Sequence, residues 1–178
     1  MNTNATKVIV PCRFSYLHCW EPGSVNGSDP RYSVSAIVDK KDIKTVKAIK
    51  AAIEQAKKDS LSKWGGKVPA NLHLPLRDGD IDRPNDEAYA GCYFFNANSR
   101  QAPQVVDAKV QPILDQSEVY SGCYGRISVT FYGYNSNGNR GIAAGLGNIQ
   151  KLRDGERLGG HTSAADDFQT EDEDDFLS

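Results

Sequence analysis

One uninterrupted run of strand-forming residues, residues 118–134, most constrains how this chain can fold. The run (EVYSGCYGRISVTFYGY) is rich in Tyr, Val, Ile, Thr and Phe and contains no proline, so it predicts one long β-strand. Side chains of a strand alternate between its two faces. The first face is a typical core face, made of Val119, Ser121, Cys123, Gly125, Ile127, Val129, Phe131 and Gly133. The second carries four tyrosines, an arginine and no aliphatic residue, namely Tyr120, Gly122, Tyr124, Arg126, Ser128, Thr130, Tyr132 and Tyr134.

The tyrosine-rich face has a structural and a functional interpretation. Cross-strand aromatic pairs stabilise the face of a sheet without any ligand. Alternatively, aromatic rings accept the flat face of any nucleic-acid base, at about 1–3 kcal/mol for each stack, and an arginine beside them attracts phosphate. This strand alone does not decide between the two.

Charge is distributed unevenly along the chain. Residues 166–178 (DDFQTEDEDDFLS) hold seven carboxylates and no basic residue. Removing these seven from the 23 acidic residues leaves 16, against 21 basic residues, so the body of the chain has a net charge of +5. A basic body followed by an acidic tail indicates polyanion binding, with a tail that can compete for the basic surface. A tail that only aids solubility is the alternative.

The termini and the cysteines predict an intracellular protein. No apolar run reaches the roughly 18–20 residues that a membrane-spanning helix needs, and the first ten residues lack the features of a secretion signal. The four cysteines are scattered, with no C-x-x-C pair, as in proteins of a reducing compartment. We therefore expect a protein that is neither exported nor embedded in a membrane.

The remaining hydrophobic patterns predict a small barrel with one helix. Further strands are predicted at residues 7–20 (broken or bent at Pro11), 31–38 and 88–99, and a short apolar stretch interrupted by Pro112 covers residues 105–114. Residues 141–152 fit a helix or a strand, and their glycines favour a strand that closes the sheet. A helix is predicted over residues 40–63, with Asp39 as its N-cap and glycine at its end. About five strands, with one helix after the second and no βαβ alternation, favour a β-barrel over a doubly wound sheet.

Catalytic and metal-binding motifs are missing from the sequence. It contains no nucleophile elbow, P-loop, dinucleotide fingerprint or H-E-x-x-H. Asp78, Asp80 and Asp82 alternate like the first ligands of a calcium loop, but the glycine and the closing glutamate of that motif are absent. We expect no enzyme, no metal and no cofactor. A metal-dependent nuclease that uses these three aspartates is the alternative.

Several long motifs are similar to those of one known family. They are RYSVSAIVDK, KWGGKVPANL, PLRDGD, YAGCYFFNANS, EVYSGCYGRISVTFYGYN and GNRGIAAGLGNIQKLRDGERLGG. Together, over residues 7–168, they resemble the single-stranded-DNA-binding proteins of tailed bacteriophages. The resemblance implies a mainly β protein: a five-stranded antiparallel OB-fold barrel with one inserted helix at residues 1–165, then a disordered acidic tail at residues 166–178.

The resemblance also implies a function. We expect sequence-tolerant binding of single-stranded DNA, in phage DNA replication, recombination and repair, in the cytoplasm of the bacterial host. An RNA-binding or strand-annealing protein on the same fold is the alternative. The sequence leaves the oligomeric state open between a monomer and a homodimer.

The resemblance and the residue pattern meet on the tyrosine-rich face, because OB-folds bind single strands with a basic groove and aromatic platforms. The candidate DNA contacts are Tyr120, Tyr124, Arg126, Tyr132, Tyr134, Arg31, Arg100, Trp64 and Lys67. Other proteins of this kind end in an acidic tail with an aromatic residue near its end. The matching residues are Asp172, Glu173, Asp174, Asp175 and Phe176. We expect them to compete with DNA and to recruit phage or host replication proteins.

Overall fold

The computed structural model describes residues 5–24 and 29–158. The acidic tail predicted to be disordered, residues 166–178, lies outside them. Within the described chain the strands are β1 (Lys7–Gly23), β2 (Arg31–Asp39), β3 (Arg77–Asp78), β4 (Cys92–Ser99), β5 (Val105–Val106), β6 (Tyr124–Ser136) and β7 (Asn139–Arg153). The α-helices there are α1 (Ile43–Asp59) and α2 (Gly79–Asp82). No helix in this part of the chain is both long and apolar enough to cross a membrane.

Five strands close into a barrel in the order β4-β2-β1-β6-β7, with β7 pairing back onto β4. The predicted OB-type barrel is thus confirmed, and α1 is inserted after β2 as expected. One detail differs, because the closing pair of β4 and β7 is parallel and joins only Ala97 to Ala144 and Asn98 to Gly145. A closed ring with an odd number of strands cannot alternate in direction throughout, so one parallel pair is unavoidable.

Strand β1 is long enough to belong to both halves of the barrel. Its first part, up to Arg13, pairs with β6, and the part from Arg13 onward pairs with β2. Pro11 does not break the strand, because β1 runs through it and pairs with β6 without a register shift from Lys7 to Arg13. Pro11 lies before the pairing with β2 begins and therefore removes no hydrogen bond on that side. The irregularity lies instead at Tyr16, which has φ +45° where the register to β2 shifts.

Helix α1 begins and ends slightly inside the predicted range. Its N-cap is Asp42, whose carboxylate accepts a hydrogen bond from the backbone N–H of Thr45 at 3.3 Å. Asp39, the predicted N-cap, accepts from the N–H of Lys41 instead. After α1 a turn of 3₁₀ helix continues to Trp64 and ends at Gly65, which has the left-handed φ of +74° that favours glycine.

The tyrosine-rich strand starts later than the sequence predicts. Gly122 has φ +118°, a value that strands do not adopt, so residues 119–123 form a turn and β6 begins at Tyr124. From there the predicted alternation is confirmed, with Ile127, Val129 and Phe131 buried in the core. The predicted last strand is β7, joined to β6 by a tight turn in which Asn137 and Gly138 have positive φ.

Candidate nucleic-acid interface

The ring of Tyr124 lies between two arginines that come from the neighbouring strands. Arg13 on β1 and Arg153 on β7 are both register partners of Tyr124. Their guanidinium carbons lie 5.1 Å and 4.4 Å from the centroid of the tyrosine ring. Both are within cation–π distance. Three adjacent strands therefore place two positive charges against one aromatic platform on the outer surface of the barrel.

A second tyrosine has a similar environment next to the first. The guanidinium carbon of Arg157 lies 4.1 Å from the ring centroid of Tyr120, and the amine of Lys151 lies 5.7 Å from it. Tyr120 belongs to the turn before β6, and it is brought near Tyr124 by Gly155, which contacts both residues. We call Arg13, Tyr120, Tyr124, Lys151, Arg153 and Arg157 the tyrosine–arginine cluster.

Burial and hydrogen bonds together set the protonation of Tyr120 and Asp154 in the cluster. The hydroxyl of Tyr120 donates to Asp154 Oδ1 (3.1 Å) and to the carbonyl of Gly155 (3.0 Å). Burial, and after it the neighbouring Cys123 and Asp154, raise the pKa of Tyr120. Hydrogen bonds from Lys151 and Tyr120 lower the pKa of Asp154. At neutral pH the tyrosine is therefore neutral and the carboxylate charged, so the cluster combines four cations with the negative charge of Asp154.

The segment that follows β7, residues 154–158, lies across this surface and is called the strap here. Arg13 Nη2 donates to the carbonyl of Glu156 (2.7 Å), and the N–H of Leu158 donates to the carbonyl of Ser121 (2.9 Å). Leu158 packs on a small apolar cluster made of Ile37, Tyr89 and Phe94. The strap thus connects the cluster to the outer face of β2 and β4.

Two open cavities lie beside the strap. One, of about 510 Å³, is lined by Arg13, Tyr124 and Arg153 among others. The other, of about 420 Å³, is lined by Tyr120 and Arg157. Each cavity offers an aromatic ring and a guanidinium to a ligand, which is the combination that suits a nucleotide.

Two glycines allow the strap to close. A methyl group on Gly122 would collide with the carbonyl oxygen of Glu156, and one on Gly155 would collide with the carbonyl oxygen of Gly122. We expect Gly122→Ala to destabilise the protein by about 1–3 kcal/mol through this collision, in addition to the strain of its positive φ. Amide hydrogen exchange at Leu158 should rise in parallel.

Gly138→Ala is the matched control for this prediction. Gly138 also has a positive φ (+88°), but nothing lies within 4 Å of the added methyl group. It therefore carries the backbone strain of about 1–2 kcal/mol without the collision. Equal losses of stability in the two variants, measured by denaturant unfolding, would contradict the role of Gly122 in closing the strap.

Arg126 lies on the same face of β6, two residues beyond Tyr124. It is exposed, and its Nη1 donates to Gln150 Oε1 at 3.2 Å. The side chain therefore extends the positive surface of the cluster along the strand.

The other two tyrosines of the predicted face lie at the far end of β6. Ten residues separate Tyr124 from Tyr134, which is roughly 30 Å along a strand. Tyr132 is 40% exposed and faces Gly145 on β7. Tyr134 is partly buried and lines a third cavity. The tyrosine-rich face is therefore divided into two regions at opposite ends of the strand.

The predicted basic contacts outside β6 lie apart from the cluster. Arg31 Nη1 donates to Asn98 Oδ1 at 2.9 Å. Arg100 pairs with Asp29 at 3.3 Å, and both side chains are largely exposed. Lys67 is exposed in the loop after α1. Arg31 and Arg100 thus belong to the end of the barrel where β2 begins and β4 ends.

Trp64 requires a correction. Its side chain is 7% exposed, and its indole N–H donates to the carbonyl of Tyr134 at 3.0 Å. The ring packs over Gly133, whose N–H donates to Ser60 Oγ. A buried ring has no free face for a base, so Trp64 is a structural residue that joins the end of α1 to β6.

Four basic residues of the cluster were not predicted from the sequence: Arg13, Lys151, Arg153 and Arg157. Two signals pointed to them. Arg13 lies two residues after Pro11 in a predicted strand and therefore shares its outward face, and three basic residues fall within residues 151–157.

Two of the three aspartates of the nuclease alternative, Asp78 and Asp80, are paired with a lysine. Lys40 Nζ lies 2.7 Å from Asp78 Oδ1 and 2.8 Å from Asp80 Oδ2. These hydrogen bonds raise the pKa of Lys40, and the bond from Lys40 lowers the pKa of Asp80. In residues 5–24 and 29–158, no three His, Cys, Asp or Glu side chains form a group suited to a metal ion. The two carboxylates serve to fix the start of α1 against β3 and α2.

Comparison with known proteins identifies the family. The family of the Enterobacter phage Enc34 ssDNA-binding protein matches residues 6–177. Protein p50 of Acyrthosiphon pisum secondary endosymbiont phage 1 is 30% identical over 168 residues, 88% of each chain. The chain belongs to the Enc34 ssDNA-binding protein family. The predicted relationship to phage single-stranded-DNA-binding proteins is thereby confirmed.

Solved structures agree with the membership in the Enc34 family. The single-stranded DNA-binding protein from bacteriophage Enc34 in complex with ssDNA has a TM-score of 0.77 and 26% identity, covering 87% of this chain and 90% of its own. The gp2.5 protein of bacteriophage T7, a single-stranded DNA binding protein, has a TM-score of 0.59 and 15% identity, covering 91% and 92%. The T7 protein therefore shares the fold.

Proposed function

We propose that this protein binds single-stranded DNA through the tyrosine–arginine cluster, with little dependence on base sequence. The observation that carries the proposal is the ring of Tyr124 between Arg13 and Arg153 on three adjacent strands. Family membership supports it, since the structure of the Enc34 relative was solved in complex with ssDNA.

The chemistry of the cluster suits a single strand better than a duplex. Every base has an aromatic face, so stacking on Tyr120 or Tyr124 stabilises any sequence. The arginines can contact phosphates or stack on bases themselves. In a duplex the base faces are already stacked on each other, and only the phosphates remain for binding. Duplex DNA should therefore gain only the electrostatic part of the binding energy.

A competition titration tests the proposed function. Fluorescence polarisation of labelled oligo-dT is followed while unlabelled single-stranded DNA, RNA of the same sequence, or duplex is added. We expect single-stranded DNA to displace the label at the lowest concentration. Equal competition by RNA would favour the RNA-binding alternative instead. The same samples with Mg²⁺ test the nuclease alternative, which requires cleavage of the labelled strand.

In the infected cell the protein would act in DNA replication, recombination and repair. These processes expose single strands in the cytoplasm of the bacterial host, where such a protein protects them. The acidic residues 166–178 would compete with DNA and, once displaced, recruit phage or host replication proteins. The described chain ends at Leu158, beside the cluster, and the seven residues 159–165 can span at most about 25 Å before the tail. The carboxylates are thus tethered within reach of the arginines.

Deleting residues 166–178 is expected to tighten the binding of single-stranded DNA at low salt. A tethered competitor acts at an effective concentration of about millimolar, and salt screens its attraction to the cluster. The measurement is the affinity ratio of truncated to full-length protein at low and at high salt. We expect a ratio clearly above one at low salt that falls toward one as salt rises.

A ratio of one at both salt concentrations would contradict competition by the tail and leave it as a docking peptide or a solubility segment. Pull-down of replication proteins with both forms then tests recruitment by itself. A control that replaces the seven carboxylates with their amides keeps the length and removes only the charge.

A further inference from the structure

The far end of β6 carries a groove that the tyrosine–arginine cluster does not explain. A cavity of about 490 Å³ opens at the seam of the barrel, where β4 and β7 pair through only two residues each. Its lining includes Tyr134 on β6, Asn98 on β4, Arg77 on β3 and Ser136 at the end of β6. An aromatic ring, a fixed amide and a cation are thus collected in a space large enough for one nucleotide.

The ring of Tyr134 forms a rigid wall of this groove. The backbone carbonyl of Tyr134 accepts a hydrogen bond from the buried indole of Trp64. The phenol ring of Tyr134 packs against Gly141, where an added Cβ would lie 2.6 Å from the Tyr134 hydroxyl. A ring held in this way is a platform for a base, because little conformational freedom is lost on stacking.

Asn98 and Arg77 offer hydrogen-bond donors to the groove, which Asn96, Ser136 and Asn139 also line. Arg31 Nη1 donates to Asn98 Oδ1 at 2.9 Å. Arginine has no acceptor, so this bond fixes the orientation of the Asn98 amide and leaves its NH₂ group for a ligand. The guanidinium of Arg77 also only donates. A base with carbonyl oxygens suits such a groove, whereas an exocyclic amine would meet donors with its own donor.

We propose that this seam groove holds one nucleotide of the bound strand and selects the base by its carbonyl oxygens, so that thymine is preferred to cytosine. The two pyrimidines differ at position 4, where thymine has an oxygen acceptor and cytosine an amine donor. Asn98 is the specificity-determining residue, Tyr134 the stacking platform and Arg77 the contact for a phosphate or a second carbonyl. This inference rests on the proposed binding of single-stranded DNA and adds a base preference to it.

The test measures by fluorescence polarisation the affinities for oligo-dT and for oligo-dC of equal length, at the same salt concentration. Wild type is expected to bind oligo-dT about two- to tenfold more tightly than oligo-dC, because one hydrogen bond changes an affinity by about this factor. Asn98→Asp replaces the donor with an acceptor, which pairs with the amine of cytosine, so the preference should shift toward oligo-dC. Ser136→Asp is the matched control, since it adds the same charge to the same groove and should weaken both oligonucleotides equally.

The outcomes separate this inference from the proposed function. A dT-to-dC affinity ratio that is the same in wild type and Asn98→Asp overturns the groove as a base-selecting site. Failure of wild type to bind either oligonucleotide overturns the proposed function instead. If circular dichroism shows that Asn98→Asp is unfolded, Asn98→Leu, which has a similar shape and no donor, should bring the ratio to one. An unchanged ratio in Asn98→Leu likewise overturns the inference.

Discussion

Replacing Tyr124 with alanine is expected to weaken the binding of single-stranded DNA by about 1–3 kcal/mol, for any base sequence. The loss has two parts, because the variant removes a stacking surface and also the ring against which Arg13 and Arg153 are held. Tyr124→Phe keeps the ring and should bind nearly as well as wild type. The measurement is the affinity for oligo-dT, with circular dichroism to confirm the fold.

Tyr132→Ala is the comparison for this prediction. Tyr132 lies on the same face of the same strand and is 40% exposed, but it is eight residues from the cluster. We expect its removal to cost less than that of Tyr124. A larger loss in Tyr132→Ala would move the main binding surface to the far end of β6 and contradict the proposed site.

Replacing Trp64 with alanine is expected to lower the free energy of unfolding by about 3–5 kcal/mol, as for other large buried aromatic residues. The variant leaves a cavity between α1 and β6 and removes the hydrogen bond to the carbonyl of Tyr134. Denaturant unfolding measures the loss. The tyrosine–arginine cluster lies at the other end of β6, so the folded fraction should keep most of its affinity for oligo-dT and lose only what Tyr134 contributes in the seam groove.

Lys67→Ala is the control, since Lys67 follows the same turn and is exposed. A substitution at such a surface position usually changes stability by less than about 0.5 kcal/mol. Should Trp64→Ala remain as stable as wild type and lose DNA binding, Trp64 would be a base platform after all.

Most of the barrel could be predicted because each strand is identified by a residue pattern that is visible within the strand itself. The alternation of core and surface residues in β6 is visible in any stretch of a few residues, and Ile127, Val129 and Phe131 are buried as it predicts. The start of β6 was missed because it depends on one backbone angle, that of Gly122. Nothing in a glycine's neighbours specifies that it adopts a positive φ.

The candidate site was predicted only in part because it is assembled by register. Arg13 is more than 100 residues away from Tyr124 and Arg153 along the sequence, and only strand pairing brings the three together. The sequence identifies Tyr124 as an outward-facing residue but not its neighbours. The burial of Trp64 could not be predicted either, because a tryptophan in a glycine-rich turn gives no local sign of burial.

The salt dependence of binding tests the location of the site most directly. Each phosphate contact with a single strand contributes about 0.7 to the slope of log K against log salt. Arg126→Gln with Arg153→Gln removes two cations from the proposed surface, so the slope should become shallower by about 1.4. Lys44→Gln with Lys47→Gln removes the same charge from the exposed face of α1. If the proposed site is correct, the helix variant should keep the wild-type slope. A shallower slope in the helix variant together with a wild-type slope in the arginine variant would contradict the proposed site.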